Sequence, residues 1–295
     1  MEEIKLDLKP TMRRVAIPAK KDALSSFAGD YGSLFKGHGL EFTGFRAYTL
    51  NDDAHMIDWK ASLRSNSLLI REFTEERDLN VFFLMDVSDS MLCSSIDKLK
   101  CEYAAELVAS LSLAALYSGD NVGMAMFNDR IIKTVPIAGG YGQYYTIAKT
   151  LSNPHLYGGG SNLERSIGYA LQYLRRNSVL VIVSDFLGLS QGWIKAIKIA
   201  SIKYSLFGFC VRDKIDRELP NDSGIVLFQD PFSEERKAIL PNRARDEYKA
   251  QASAQLAEVR DIFLHSGSNF LELSTDEPFA GPITKFFVEK SKRWR

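Results

Sequence analysis

The sequence predicts an α/β protein whose mainly parallel sheet carries helices on both faces. Short runs of β-favouring apolar residues alternate with helical segments through the middle of the chain, which is typical of such sheets. Two of these runs, Asn80–Asp86 and Val179–Ser184, are apolar enough for buried strands. An aspartate stands at the end of each, Asp86 and Asp185, where ligands of open α/β sheets bind.

From residue 80 onward the predicted elements follow in a regular order. The predicted strands span Asn80–Asp86, Asn121–Phe127, 131–135, Val179–Ser184 and 204–211. The helices that alternate with them span 97–118, 162–176 and 192–200. Segment 131–135 is expected to pair with the strand before it through a turn at Asn128-Asp129.

After Asp213 the pattern changes. Segments 225–229 and 237–240 flank a turn at Asp230-Pro231, which predicts a β-hairpin. A long helix is predicted at 245–265, a short strand returning to the sheet edge at 269–273, and a closing helix at 282–290. We therefore expect one domain over 79–295, with a β-hairpin insertion near 225–240.

The first 78 residues differ in character, since polar and aromatic residues interleave with little helical period. We expect residues 1–78 to be a β-rich segment packed on the sheet, with 68–73 pairing antiparallel to Asn80–Asp86. The segment also carries charges that predict an ionic network, for which an architectural and a binding role both stay open. These residues are Arg46, Asp52, Asp53, Asp58, Arg64, Arg71 and Arg77.

Composition excludes several classes of function. The 37 basic and 37 acidic residues balance, which argues against nucleic-acid binding because that needs a basic excess or stripe. Three cysteines without a C-x-x-C pair suggest neither a disulfide framework nor a zinc site, and favour the reducing cytoplasm. The charged N-terminus lacks a signal-peptide core, and the longest apolar stretch is too short to span a membrane.

Three segments together predict a metal site. Asp86-Val87-Ser88-Asp89-Ser90 leaves a strand with a carboxylate and two hydroxyls at alternate positions. Gly158-Gly159-Gly160-Ser161-Asn162 supplies a third hydroxyl, and Asp185 supplies a second carboxylate. Such oxygen ligands suit a hard divalent cation such as magnesium. The alternative is that Ser88 and Ser90 only cap the following helix, which leaves the loop and the second aspartate unexplained.

This pattern resembles the metal-ion-dependent adhesion site of von Willebrand factor A domains. Carried over position by position, the resemblance implies that magnesium or manganese is bound by Asp86, Ser88, Ser90, Ser161 and Asp185. The loop hydroxyl is usually threonine, and Ser161 offers the same oxygen. The resemblance implies a von Willebrand factor A-like fold and a metal that a partner's carboxylate completes.

The N-terminal motifs sharpen the resemblance. Gly37-His38-Gly39-Leu40-Glu41-Phe42, Arg46-Ala47-Tyr48, Asp52-Asp53 and Ile57-Asp58-Trp59, followed by the D-x-S-x-S strand, are similar to the bacterial family DUF58. That family is typically encoded beside MoxR-type AAA+ ATPases. The resemblance implies a partner role with such an ATPase in the assembly or activation of other proteins. Many members of the family have N-terminal membrane helices, but we do not expect membrane anchoring for this chain.

Two classes of function follow from the residues. The first is a non-enzymatic, metal-dependent protein-binding module. The second is a magnesium-dependent phosphoester hydrolase, in which Asp86 and Asp185 hold the ion for phosphoryl chemistry. The sequence shows no nucleophile or base with supporting partners, no P-loop and no G-x-S-x-G elbow. We therefore expect the binding module rather than an enzyme.

Overall fold

A six-stranded sheet dominates the computed structural model, which describes residues 40–49, 52–75, 79–220, 226–229 and 236–293. Its strands are β3 (Asn80–Asp86), β4 (Asn121–Phe127), β5 (Ile131–Ala138), β6 (Val179–Ser184), β7 (Ser205–Arg212) and β10 (Asn269–Ser274). Two smaller antiparallel pairs are β1 (Leu40–Ala47) with β2 (Leu69–Glu75), and β8 (Val226–Gln229) with β9 (Arg236–Ile239).

Seven α-helices are found in the described part of the chain. They are α1 (Trp59–Ser65), α2 (Lys100–Tyr117), α3 (Tyr141–Leu151), α4 (Leu163–Tyr173), α5 (Trp193–Lys203), α6 (Pro241–His265) and α7 (Ala280–Arg293). Among these helices, none combines the length and the apolar character needed to cross a bilayer.

The strand order is β10-β7-β6-β3-β4-β5, and every neighbouring pair is parallel except the antiparallel β4 and β5. This order confirms the predicted fold class, a von Willebrand factor A-like α/β fold with a mainly parallel sheet. It places β3 and β6 side by side, with Met85 paired to Val183. Their carboxyl ends therefore lie together at one edge of the sheet, since parallel strands point the same way.

Alternate residues of the central strands feed two separate cores, one on each face of the sheet. On β3, Val81, Phe83 and Met85 pack in the layer that contains α2, α3 and α7. Phe82 and Leu84 point to the layer that contains α4, α5 and α6. Because both faces are covered, β3 is apolar almost throughout, as is typical of parallel sheets.

The predicted pairing of 68–73 with Asn80–Asp86 is wrong. Strand β2 pairs instead with β1, from Leu40 opposite Glu75 to Ala47 opposite Leu69. Strand β3 has β4 on one side and β6 on the other, so neither edge is free for β2. The division at residue 79, and the packing of 1–78 on the sheet, stay predictions. Strands β8 and β9 pair antiparallel where a hairpin was predicted, and the role of that hairpin as an insertion in the 79–295 domain stays a prediction.

Acidic residues of the N-terminal segment serve local structure. Asp53 and Asp58 accept backbone N–H groups at the starts of a short 3-10 turn and of α1, so they act as helix caps. Arg46 binds Asp52 through two hydrogen bonds of 2.6 and 2.7 Å, which hold the pKa of Asp52 far below its usual range. Arg46 is exposed in this pair and Asp52 is half-buried, so the pair is a partly exposed piece of the predicted ionic network. Residue Arg77 and motif residues 37–39 lie outside the described residues.

Helix α3 was not predicted, because Gly139, Gly140 and Gly142 indicated a turn. The structure turns at Gly140, whose φ is +82°, and the helix begins directly afterwards. Its buried residues are Tyr144, Ile147, Ala148 and Leu151. This i, i+3, i+4, i+7 spacing was the available signal for a helix.

Candidate functional site

The two predicted carboxylates lie at the carboxyl edge of the sheet. Asp86 is the last residue of β3, and Asp185 follows the last residue of the neighbouring β6. Both side chains are buried, with 1% and 0% of their surface exposed. The sequence therefore placed this pair correctly.

Asp86 is held by neutral hydrogen-bond donors. The Ser88 backbone N–H donates to Oδ1 at 2.9 Å, and the Ser184 hydroxyl donates to Oδ2 at 2.7 Å. Burial, followed by the nearby negative charge of Asp185, raises the pKa of Asp86 to about 6. Within the described residues no basic side chain forms an ion pair with it. Asp86 is thus a buried acid without a cation.

The two hydroxyls of the first motif lie beside this acid. Ser88 and Ser90 are buried, and their Oγ atoms are 3.2 Å apart. Ser88 precedes a short 3-10 helix at Asp89–Leu92, yet its side chain makes no capping hydrogen bond. Helix capping therefore does not account for Ser88. Its hydroxyl hydrogen-bonds the Asp86 carboxylate instead, and the Ser90 hydroxyl lies next to it.

Backbone hydrogen bonds hold the glycine loop against the first motif. Gly158 N donates to Val87 O at 2.7 Å, Asp89 N donates to Gly159 O at 2.8 Å, and Gly159 N donates to Asp89 Oδ1 at 2.9 Å. Ser161 is two residues further on and half-buried, just before α4. The loop that carries the third hydroxyl is therefore anchored at the sheet edge.

Glycine is required at the centre of this loop. Gly159 has a φ of +99°, and a Cβ added there would lie 2.6 Å from Asn128 Nδ2. That amide is already in use, since it donates to Gly158 O at 2.7 Å. Asn128, a predicted turn residue, therefore fixes the loop from the end of β4.

Lys100 is the main residue of the site that sequence reasoning missed. It is the first residue of α2, with a side chain 1% exposed. Its Nζ donates to Asp185 Oδ2 at 2.8 Å and to Asp216 Oδ2 at 2.9 Å. Burial disfavours its charge, but these two carboxylates outweigh burial and raise the pKa of Lys100 above its usual value. No local motif signals this contact, because the residues are 85 and 116 positions apart.

The segment after Asp185 is rigidly held. Leu187 N donates to Asp185 Oδ1 at 3.0 Å, and Phe186 adopts a left-handed φ of +52°. Such a conformation is unusual for a bulky side chain and persists where surroundings enforce it. Here Phe186 is buried, and Gln255 of α6 donates to its carbonyl at 2.8 Å. Both oxygens of Asp185 are therefore fixed in direction.

Asp213, at the end of β7, organises the rim of the site. It accepts from Ser94 Oγ, Ser95 N, Ile215 N and Thr275 Oγ1 at 2.8–3.0 Å. Burial opposes ionisation, but these hydrogen bonds outweigh it and lower the pKa of Asp213. All of its contacts join structural segments, so Asp213 positions the loop before α2 and, with it, Lys100.

The residues present fit a hard divalent cation. Asp86 brings a buried carboxylate without a cationic partner, and Ser88 and Ser90 bring adjacent neutral oxygens. This donor set is all oxygen, as magnesium prefers. Over the described residues, no group of three or more His, Cys, Asp or Glu side chains is arranged for a metal. A metal here would therefore depend on the hydroxyls as much as on the carboxylates.

Comparison with known proteins shows the family to which the chain belongs. The model of the family described as "Protein of unknown function DUF58" matches residues 44–258, and the chain belongs to that family. An uncharacterized protein of Mycobacterium tuberculosis is 24% identical over 287 residues, which cover 97% of this chain and 90% of the relative. An uncharacterized protein of Mycobacterium avium is 29% identical over 119 residues, covering 40% and 69% of the two chains.

Solved structures with similar architecture include the hypothetical protein BatB from Bacteroides thetaiotaomicron. It has a TM-score of 0.46 and 16% identity, over 72% of this chain and 99% of BatB. A von Willebrand factor type A protein from Catenulispora acidiphila has a TM-score of 0.41 and 12% identity, over 76% and 44% of the two chains.

Proposed function

We propose that this protein is a metal-ion-dependent protein-binding module. The observation that carries the proposal is the state of Asp86, a fully buried carboxylate beside two hydroxyls and without a basic partner among the described residues. A buried charge is costly unless it is paired or bound to a metal. Buried carboxylates with a raised pKa of this kind cluster at functional sites.

The residues that would hold the ion are Asp86, Ser88, Ser90, Ser161 and Asp185. Magnesium, or manganese in its place, would supply a coordination position that a carboxylate of another protein can fill. In this proposal the chain's own residues hold the ion and keep its charge available to a partner. The hydroxyls would add no charge, so a bound ion would keep its attraction for a partner's acid. The glycine loop that carries Ser161 is tied to the first motif through Gly159 and Asp89.

A MoxR-type AAA+ ATPase, or a client protein of that ATPase, is the proposed partner. The resemblance to DUF58 supports this choice, because such ATPases are typically encoded beside members of the family. The proposed outcome is the assembly or activation of other proteins. We propose that the interaction takes place in the cytoplasm. All three cysteines are free thiols, and the reducing cytoplasm keeps thiols in that state.

The proposed module is not an enzyme. Lys100 is the basic side chain that lies among the predicted site residues. It is not free to act in hydrolysis, because it is already bound to Asp185 and Asp216. A phosphoester hydrolase would also need a nucleophile or activated water with a supporting base. We expect the purified protein to leave phosphomonoesters and ATP intact. Turnover that disappears in Asp185→Ala would overturn this part of the proposal.

The deciding experiment is a pull-down of a purified MoxR-type AAA+ ATPase from the same organism by the wild-type protein. Recovery should require magnesium and disappear in EDTA. The double variant Ser88→Ala with Ser90→Ala should fail to recover the ATPase in magnesium, while Ser152→Ala, an exposed serine at the end of α3, should behave as wild type. Equal recovery in magnesium and EDTA would show that the metal face is not the docking surface.

A further inference from the structure

The site already contains a cation of its own. The Lys100 ammonium lies 2.8 Å from Asp185 and 2.9 Å from Asp216, and the side chains of Lys100 and Asp185 are 1% and 0% exposed. Asp86, the other predicted ligand, has no such partner in the described residues. The two carboxylates of the predicted metal site therefore differ in charge balance. Within the described residues, Lys100 neutralises Asp185 and no basic side chain neutralises Asp86.

Stability does not explain this lysine. Even a buried lysine with two carboxylate partners is often no more stabilising than well-packed apolar side chains of similar volume, because desolvation offsets the attraction. Lys100 is also the first residue of α2, and the positive end of a helix dipole disfavours a cation. The second buried cation of this region, Arg212, donates to the Gln255 side chain instead. Desolvation and the helix dipole both disfavour a lysine at this position. Its presence there therefore indicates that it has a function at Asp185.

We infer that Lys100 is a tethered cation that competes with the metal for Asp185 and so sets the metal affinity of the site. The inference rests on the proposed function and adds a regulating residue to it. An ammonium near the ion repels it and occupies Oδ2 of a ligand, and both effects weaken binding. The affinity is thereby kept below what two buried carboxylates would otherwise give.

Asp216 makes the competition reversible. Lys100 contacts both of its oxygens, at 3.1 and 2.9 Å, from the short 3-10 turn Lys214–Asp216 after β7. The ammonium therefore keeps a carboxylate partner when Asp185 turns to a metal. Without Asp216, release of Asp185 would leave a buried ammonium unpaired. Because Asp216 still pairs with Lys100, the free-energy cost of separating Lys100 from Asp185 on metal binding is moderate.

The test is calorimetric titration of the full chain with Mg²⁺. Lys100→Met should bind Mg²⁺ about tenfold more tightly than wild type, since one positive charge has left a poorly solvated site. Lys100→Arg should keep the wild-type affinity, because it restores the charge. Lys98→Met is the matched control, since Lys98 lies two residues away and is half-buried, and it pairs with Glu106 rather than with a predicted metal ligand. Its affinity should equal that of wild type.

Failure of this inference differs from failure of the proposed function. Equal Mg²⁺ affinity in wild type and Lys100→Met, or weaker affinity in the variant, overturns the competition but leaves a metal-binding module. Absence of Mg²⁺ binding in every variant overturns both. If Lys100→Met does not fold, NMR of the wild type decides. The Lys100 side-chain resonance should shift on Mg²⁺ addition while that of Lys98 does not, and an unmoved Lys100 resonance contradicts the inference.

Discussion

Asp89 and Gly159 bind each other through two hydrogen bonds, although 70 residues separate them. The Asp89 backbone donates to the Gly159 carbonyl at 2.8 Å, and the Gly159 backbone donates to the Asp89 carboxylate at 2.9 Å. This reciprocal contact joins the first motif to the glycine loop. The position of Ser161 therefore depends on the backbone of Gly159.

The first prediction tests that dependence. Gly159→Ala should destabilise the protein by about 1–3 kcal/mol, because its left-handed backbone disfavours a Cβ that would also clash with Asn128. Gly160→Ala is the matched control in the same loop, since its added Cβ would lie 3.8 Å from Asp129. Thermal unfolding should separate the two variants, and equal melting temperatures would show that the loop adapts freely.

The second prediction concerns the loss of folding stability caused by the buried, charged Asp86 carboxylate. Its pKa is raised to about 6, so the folded protein disfavours the charged form, and this cost appears as the pH rises from about 4 to above 6. Asp86→Asn should therefore stabilise the metal-free protein at pH 7.5, by on the order of 2–3 kcal/mol. The same variant should lose the stabilisation that magnesium gives the wild type.

Chemical denaturation in EDTA and in magnesium measures both effects. Asp129→Asn is the control, because Asp129 is an exposed acid at the same edge of the sheet. It should change neither the stability in EDTA nor the magnesium response. An Asp86→Asn protein that is less stable than wild type in EDTA would mean that the carboxylate is a structural anchor rather than a reserved ligand.

The parts of the fold that sequence predicted are those with strong local patterns. Strands β3, β4 and β6 were placed at their observed bounds, because buried parallel strands are continuous apolar runs. Helix α3 was missed because its flanking glycines suggested a turn. The partner of β2 was wrong because pairing is decided by tertiary contacts, which a single strand's pattern does not contain.

The candidate site shows the same limit. Asp86 and Asp185 were predictable, since each ends an apolar run at the sheet edge. Lys100 and Asp216 were not, because they meet Asp185 only through the packing of α2 and of the turn after β7. Sequence therefore placed the two carboxylates at the sheet edge but missed the internal cation that pairs with Asp185.

The third prediction uses Asp213. Its pKa is lowered in the folded protein, so its charge stabilises the fold above the unfolded pKa near 3.8, and this contribution is lost as the pH falls through the lower folded value. Asp213→Asn should cost about 1–3 kcal/mol at pH 7, because charge-assisted hydrogen bonds to Ser95 and Thr275 weaken. Urea unfolding should show this difference shrinking below pH 4. A difference that is constant down to pH 2 would contradict the assignment.

The fourth prediction concerns the N-terminal boundary. The fragment 79–295 should fold and melt cooperatively, because β3 keeps hydrogen-bonded neighbours on both sides when β1 and β2 are removed. Leu79 is also anchored within the large unit. Its N–H donates to Asp120 Oδ1 at 3.0 Å, and its carbonyl accepts from Asn121 N at 2.8 Å. A fragment that began later would lose both contacts.

Circular dichroism during heating, with size-exclusion chromatography, measures this outcome. The fragment 87–295 is the control, because it lacks β3 and leaves the edges of β4 and β6 unpaired, and exposed edges promote aggregation. The fragment 79–295 should be monodisperse and the control aggregated. If 79–295 also aggregates, its large sheet depends on contacts with residues 1–78, and the predicted packing of that segment on the sheet gains direct support.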